Sequence, residues 1–579
     1  MGSETAPPYS SIAESSRILD FLLPLLDETS LPAQARSKRD NVQFTGTRDK
    51  PYFPIPFKET ELSAALKAIE GCVASSLADE KFGHEAKNRK VTVDQEKTTA
   101  FLFQAYLARV GGLGKLDKDV KKFLKDTDLL QAQSNPYRRM SANLYETAEP
   151  GEYYHIHGSL EASTTLNMIG LKSHRPDLTS HDDIVNEIER AVKKFTVEQL
   201  EALNAKNRQA GVKAFKHEDF LQTPHGKTNR SLPPWSVKAL ESTTPKCPLP
   251  NNGDKRILSG IKVLDMCRII AGPTITRILG EYGAEVLKVT SPHLSDVPFF
   301  QVDGNMGKRT VDLDLKTPEG RRVFEQLLDE VDVVVDGYRP DALEKLGYGP
   351  RAMAETAARR GKGIVYVNEN CFGYDGEWAG RPGWQQIADC VTGIAWEQGR
   401  FMGLDEPVVP PFPISDYGTG CIGAIAALVG LHHRTTRGGS WHGMASLVHY
   451  DLLLFKVGLL PGPVQEELRR QAGPDFLALR HAHSVDQISG TVLRKMRELY
   501  PDFVDHPTYL DHWFAEKYDA NVSAVLPVVE IDGVELSFGR ASRPNGSDEA
   551  TWDARQGKDK RLSCDERSNL SGLLGGEMA

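Results

Sequence analysis

Apolar residues recur at helical spacing through the first quarter of the chain, whereas beyond residue 258 they gather into short valine-rich runs separated by helical segments. The early pattern predicts a helix over 12–26, a polar surface segment over 30–50, and two further helices over 59–78 and 91–110 with no strand between them. Gly111, Gly112 and Gly114 then break the periodicity. The turn Glu149-Pro150-Gly151-Glu152 followed by the aromatic run Tyr153–His157 predicts a hairpin opening a small α+β segment. Charged, helix-prone sequence continues to Ala214, and 216–255, rich in Pro, Asn, Thr and Lys, reads as a linker.

After the linker the pattern becomes strand 258–266, loop 268–273, helix 274–282 and strand 284–289, repeated more loosely by strand 310–315, helix 318–330 and strands 331–335 and 363–368. Such alternation predicts parallel strands covered by helices on both faces. A polar turn over 433–440, a helix over 445–460, helical patterns over 491–499 and 512–518, a short strand over 525–531 and a polar, disordered tail complete the reading. The expected fold class is therefore α/β: a Rossmann-like parallel-sheet domain plus a smaller α+β domain and linking helices. Its divisions are a mostly helical 1–140, an α+β domain and linker over 141–250, the Rossmann-like part over 256–460, and C-terminal helices, a short strand and the tail over 461–579.

One stretch, 410–431, organises the rest: a proline-led entry, then Ser415 and Asp416 as natural N-cap residues, then a run of small and apolar residues suited to close helix packing. Residues 51–60 resemble its opening, with Pro51, Phe53, Pro54, Ile55 and Thr60 falling on Pro410, Phe412, Pro413, Ile414 and Thr419, and Ala65, Ala68 and Gly71 falling on Ala424, Ala427 and Gly430. We read the earlier segment as a partial, degenerate copy. In that register Phe57 stands where Asp416 stands, so only the later copy carries the carboxylate.

Composition narrows the chemistry. A net charge of −9 with pI near 6.0 argues against a general nucleic-acid binder. Seven cysteines without a C-x-x-C pair suggest neither a disulfide scaffold nor a zinc module. His155 and His157 share a strand face but lack a third ligand at recognisable spacing, so no metal is expected. The N-terminus shows neither a basic start nor an apolar run, no apolar stretch is read as long enough to span a bilayer, and a cytoplasmic protein without membrane attachment is expected.

The first β-α-β unit invites a dinucleotide, but its loop reads Cys-Arg-Ile-Ile-Ala-Gly-Pro rather than G-x-G-x-x-G, and its second strand ends Lys-Val-Thr-Ser without an acidic residue for a ribose. Basic residues nevertheless gather near strand ends: Arg268, Lys308, Arg309, Lys316, Arg339, Lys345 and Arg381 would suit a ligand with phosphates. The run beginning Leu-Ser-Gly-Ile-Lys-Val-Leu-Asp at Leu258 resembles the opening of the class III CoA-transferases, the CaiB/BaiF family. So do Gly-Ala-Glu-Val-Leu-Lys-Val from Gly283, Gly-Lys-Arg-Thr-Val-Asp-Leu-Asp-Leu-Lys from Gly307, Asp-Val-Val-Val-Asp-Gly-Tyr-Arg-Pro from Asp332, Phe-Gly-Tyr-Asp-Gly from Phe372 and Asp-Tyr-Gly-Thr-Gly from Asp416.

The resemblance implies an enzyme in which Asp416 attacks an acyl-CoA, forms a mixed anhydride, and passes CoA to a small carboxylic acid. It implies that Arg268, Ile270, Ala271, Leu315, Lys316, Gly337, Tyr338, Arg339, Lys345, Arg381 and Gln385 line the CoA path and that CoA and acyl-CoA are substrates with no tightly bound cofactor; with the charge and hydropathy above, no nucleic-acid or membrane partner is expected. Family members are interlocked homodimers, so with one chain carrying two partial copies, a homodimer and a single-chain pseudo-dimer are both open. The chain departs from its formyl-CoA transferase relatives at Ile270, where they carry Gln, and at Gln385, where they carry Glu. It has Ser134-Asn135-Pro136-Tyr137-Arg138 in place of their glycine-rich flap. The family's racemases place a His where this chain reads Gly383-Trp384-Gln385-Gln386. A racemase or epimerase and a non-catalytic CoA-binding scaffold are the alternatives.

Overall fold

Val333, Val334 and Val335 are all fully buried, the first and third in the core beneath one face of a sheet and the second in the core beneath the other. A strand buried on both faces needs helices above and below it, which parallel strands with helical crossovers provide. The computed structural model describes residues 8–83, 88–505, 507–553 and 557–563. Its main sheet contains β1 (Ser236–Glu241), β2 (Lys262–Met266), β3 (Glu285–Thr290), β4 (Lys308–Asp312), β5 (Val333–Asp336), β6 (Val365–Asn370) and β7 (Ser440–Ser446). Their order is β4-β3-β2-β5-β6-β7-β1, with β2 to β7 parallel and β1 antiparallel at the edge.

Counted from the first parallel strand, that order is the doubly wound 3-2-1-4-5-6, which reverses between β2 and β5 and opens a crevice at their carboxyl ends. The expected α/β class holds. Part of the expected linker is strand β1, and the helix expected over 445–460 begins as strand β7. The hairpin stands as read, Ala142–Glu146 against Tyr153–His157, with Val212–Lys213 as a third strand.

Six helices bear on the site: α1 (Glu59–Phe82), α2 (Gln95–Phe101), α3 (Ala271–Glu281), α4 (Gln385–Thr392), α5 (Ile414–Thr436) and α6 (Leu447–Val457). Helix α5 lies on the sheet and is covered by α1. Its glycines permit this: a Cβ at Gly430 would lie 2.6 Å from Val365 on β6, and one at Gly420 would lie 2.6 Å from Thr274 on α3. At 23 residues, α5 is long and apolar enough by composition to cross a bilayer, contrary to our reading that no run is; 94% of its most apolar window is buried inside the fold. An all-round apolar helix here reflects burial on all sides. It also runs to Thr436, into the first half of the expected turn, where His433 is paired with the Thr29 carbonyl at 2.8 Å and Arg434 donates to Asp332 at 2.7 Å, and the turn itself is made at Gly438 and Gly439.

Short strands replace several expected helices. Val42–Thr45 and Val91–Asp94 pair in parallel, and Val529–Ile531 joins the second of them, so the segment before residue 110 is not purely helical. Val91 and Val93 are buried while Thr92 and Asp94 are half-exposed, a two-residue period too brief to show within a run that becomes α2 after Asp94 caps it. Residues 512–518 likewise contribute to strand Leu510–Ala515, antiparallel to Ala520–Val525. Lys560–Arg561 pairs with that strand, and residues 564–579 of the expected tail lie outside the described residues.

The two similar segments meet inside the molecule. Helix α1 follows Lys58 at φ −84°, ψ 58°, and α5 follows Pro413 at φ −87°, ψ 57°. Aligned on these starts, Glu61 rather than Phe57 occupies the place of Asp416, four residues from the register expected from the prolines. Each helix leads to a strand and then another helix, α2 capped by Asp94 and α6 by Ser446. Thr60 bonds Thr99 at 3.0 Å where, in this alignment, Ser415 bonds Asp451 at 2.8 Å.

Candidate active site

The carboxyl ends of β2, β5 and β6 carry the loops around Arg268, Gly337 and Cys371, and the start of α5 brings Asp416 against them. Two residues there hold strained backbone: Ile269 at φ 72°, β-branched in the left-handed region, and Phe412 at φ 63°, just before α5. Ser415 and Asp416 are the second and third residues of the helix, no side chain caps it, and the expected capping role for either residue is therefore corrected. Asp416 is left half-buried, facing open space, beside first-turn N–H groups that have no intrahelical acceptor.

That space is two cavities. One of about 310 Å³ is lined by Arg268, Ile269, Ile270, Ala271, Gly337, Tyr338, Arg339, Glu369, Arg381, Trp384 and Asp416, with Ser159 and Glu161 from the small domain. A second, of about 120 Å³, is lined by Tyr106, Lys115, Arg139, Gln385, Pro413 and Asp486 among others. Asp416, Ile270 and Trp384 line both. The structure thus brings together Asp416, Arg268, Ile270, Ala271, Gly337, Tyr338, Arg339, Arg381 and, from the smaller side, Gln385. Leu315 is instead a core residue, the Lys316 backbone N–H bonds Asp314, and Lys345 is exposed beside Asp341 at 3.8 Å; none of the three lines either cavity.

Three arginines face one cavity wall, each partly anchored: Arg268 donates to the Ser295 carbonyl, Arg339 to the Arg208 carbonyl at 3.5 Å, and Arg381 to the Gly211 carbonyl at 2.8 Å and to Glu201 at 3.0 Å. The wall is tight at Gly337, where a Cβ would lie 3.2 Å from the Cys267 sulfur and 3.3 Å from Glu369 Oε2. Two carboxyls line the same cavity as the arginines. Burial, then the charge of Asp451, raises the Asp416 carboxyl to about 8. Burial, then Asp416 and Asp336, raises Glu369 to about 8. Among the described residues neither carboxyl has a hydrogen-bond partner.

Behind Asp416 lies a buried cluster that sequence reasoning missed. Ser415 Oγ is 3.0 Å from Asp389 Oδ1 and 2.8 Å from Asp451 Oδ1, Gln385 Nε2 donates to Asp389 Oδ2, and Thr392 Oγ1, which donates to the Ala388 carbonyl at 2.7 Å, lies 3.0 Å from Asp451 Oδ2. A hydroxyl has one proton and cannot donate to two carboxylates, so one of these acids is protonated and donates to Ser415. Burial is the main cause raising both, Asp389 well above the carboxylate range and Asp451 to about 7. Gln385 is thus a positioning partner of this cluster as well as a cavity residue. His155 and His157 stack at 5.5 Å, His157 stacks on Trp384 at 5.7 Å, and burial holds both imidazoles neutral.

The family model for CoA-transferase family III matches residues 258–459, the stretch that holds the six parallel strands and Asp416. Acetyl-coenzyme A transferase nodX of Hypoxylon pulicicidum is 31% identical over 560 residues, 94% of this chain and 93% of its own length. This chain belongs to CoA-transferase family III. An acyl-CoA transferase of Gibberella moniliformis (strain M3125 / FGSC 7600) is 34% identical across 71% of this chain and 73% of its own. A solved CAIB/BAIF family protein from Brucella suis is 27% identical with a TM-score of 0.30, covering 34% of this chain and 55% of that one. As a family III member the chain is an enzyme, and the match to nodX reaches well beyond residues 258–459.

Proposed function

We propose that the enzyme moves CoA between an acyl-CoA and a small carboxylic acid, with Asp416 carrying first the acyl group and then CoA. The observation that carries this reading is the position of Asp416: an uncapped carboxyl at the start of a buried helix, where the two cavities meet. A thioester bound there has its carbonyl at Asp416, CoA toward the larger cavity with Arg268, Arg339 and Arg381, and its acyl group toward the smaller. A cavity of about 120 Å³ suits a short acyl chain, since cavities near 150 Å³ hold benzene.

Attack by the Asp416 carboxylate forms a mixed anhydride, and the oxyanion that develops sits within reach of the first-turn N–H groups of α5. CoA then attacks the aspartyl carbonyl, the first acid leaves, and the acceptor carboxylate takes CoA by the reverse sequence. CoA and its esters are substrates, and no tightly held cofactor is required. Support comes also from relatives named for such transfers: nodX, and the succinyl-CoA–L-malate CoA-transferase beta subunit of Chloroflexus aurantiacus (strain ATCC 29366 / DSM 635 / J-10-fl), 36% identical over 31% of this chain and 46% of its own length.

The test is isotope exchange between a short acyl-CoA and its free ¹³C-labelled acid. Asp416→Ala is expected to abolish exchange while melting as the parent does. Exchange by that variant at the parental rate would overturn the reading.

A further inference from the structure

We propose that Glu369 is a second catalytic carboxyl, the group that gives a proton to the departing CoA sulfur and takes it back when CoA returns. The inference rests on the proposed role of Asp416 and adds to it.

Three observations carry it. Glu369 lines the larger cavity together with Asp416, at the carboxyl end of β6, so its side chain faces the space the thioester enters. Its Oε2 is packed toward Gly337, where a Cβ would lie only 3.3 Å from it. Among the described residues it has no hydrogen-bond partner, although a half-buried carboxyl normally has one. A structural acid would be paired; an unpaired one aimed into a cavity is free for a ligand.

The two carboxyls are unlike. Asp416 sits beside the N–H groups and positive end of a helix, which favour its ionised form. Glu369 is the penultimate residue of β6 rather than part of a helix N-terminus, and Asp336, the last residue of β5, is a further acid acting on it. In a dry pocket two neighbouring carboxyls do not both ionise readily, so the pair holds one proton, and that proton belongs on Glu369.

The steps balance. An Asp416 oxygen forms a bond to the acyl carbon, the C–S bond breaks, and the sulfur's electron pair takes the Glu369 proton, leaving an anhydride, CoA thiol and a Glu369 carboxylate. On return the carboxylate removes the thiol proton, sulfur bonds to the Asp416 carbonyl, and the first acid leaves as its anion. In the acceptor half-reaction the acceptor's anion attacks the aspartyl thioester while Glu369 again protonates the departing sulfur; Glu369 then takes that proton back as the sulfur bonds to the acceptor's acyl carbon and Asp416 leaves as its carboxylate, so Glu369 ends protonated.

The test is steady-state exchange with acetyl-CoA and ¹³C-acetate for the full chain and its Glu369→Gln, Glu369→Asp and Asp416→Ala variants. Glu369→Gln keeps the shape and is expected to melt at or above the parental temperature. Its kcat is expected to fall at least ~100-fold with KM for acetyl-CoA within about threefold, as for loss of a general acid–base, and Glu369→Asp to recover part of that loss. Glu369→Gln within about threefold of parental kcat, or a defect confined to KM, would overturn the assignment. So would parental incorporation of deuterium at the acyl α-carbon that Glu369→Gln abolishes, since it would place Glu369 in carbon-acid chemistry. Full activity of Asp416→Ala would instead refute the underlying reading, whatever Glu369→Gln does.

Discussion

Asp416 differs from a capping aspartate by what it does not touch: no side chain caps α5, and the carboxyl faces the cavities instead. Behind it, Asp389 and Asp451 share Ser415 and at least one proton. Because Asp451 is raised to about 7 from the ordinary 3.8, the folded chain binds that proton more tightly than the unfolded chain does. The sign follows: the contribution is fully present below about pH 4 and is lost as pH rises through about 7. Asp451→Asn is therefore expected to flatten the decline in melting temperature between pH 5 and pH 8.5, and to melt above the parent at pH 8.5. A variant melting below the parent by the same amount at both values would contradict this. Removing the Asp451 charge also takes away the second cause that raises Asp416, so the acid limb of the transfer rate should move to lower pH in the same variant.

At the scale of elements, site geometry depends on how closely α5 approaches α3. A Cβ at Gly420 would lie 2.6 Å from Thr274 and 3.0 Å from the Ala271 carbonyl oxygen, and the latter is backbone that cannot rotate away. Gly420→Ala is expected to destabilise by about 1–3 kcal/mol in urea unfolding, as overpacking does, and to raise KM for acyl-CoA because Ala271 lines the larger cavity. Unchanged stability and KM would show that the helices separate freely. The β-α-β alternation from 258 to 368 was legible because its strands are doubly buried and valine-rich. Strands Val91–Asp94, β7 and Leu510–Ala515 were not, since each mixes polar with apolar residues and abuts helix-prone sequence, and neither was β1, a partly exposed edge strand inside a Pro-, Asn-, Thr- and Lys-rich stretch. Asp416 could be read from its motif, but Glu369 sits in Asn-Glu-Asn, which looks like an ordinary polar strand exit. Asp389 and Asp451 lie on separate helices that only the fold brings together.

The whole molecule encloses α5 within one chain. Helix α1 packs on it, Tyr450 of α6 donates to Glu59 of α1 at 2.8 Å, and Tyr417 accepts from the Ala105 backbone N–H at 3.1 Å. In the place of Asp416, α1 carries Glu61, which accepts from Tyr9 at 2.9 Å and Ser11 at 2.7 Å and is fully covered. One half therefore presents its acid to a cavity and the other seals its acid within the core. Removing residues 1–110 would strip α5 of its cover, and that truncation is expected to be insoluble; a soluble, cooperatively folded fragment would show that the N-terminal segment is dispensable. The central claim is that Asp416 becomes covalently loaded. Incubating the enzyme with acyl-CoA and hydroxylamine, then mapping modified peptides by mass spectrometry, tests it directly. The account predicts a hydroxamate on Asp416, dependent on acyl-CoA; acyl-CoA turnover with Asp416 unmodified, or a hydroxamate on another residue, would contradict it.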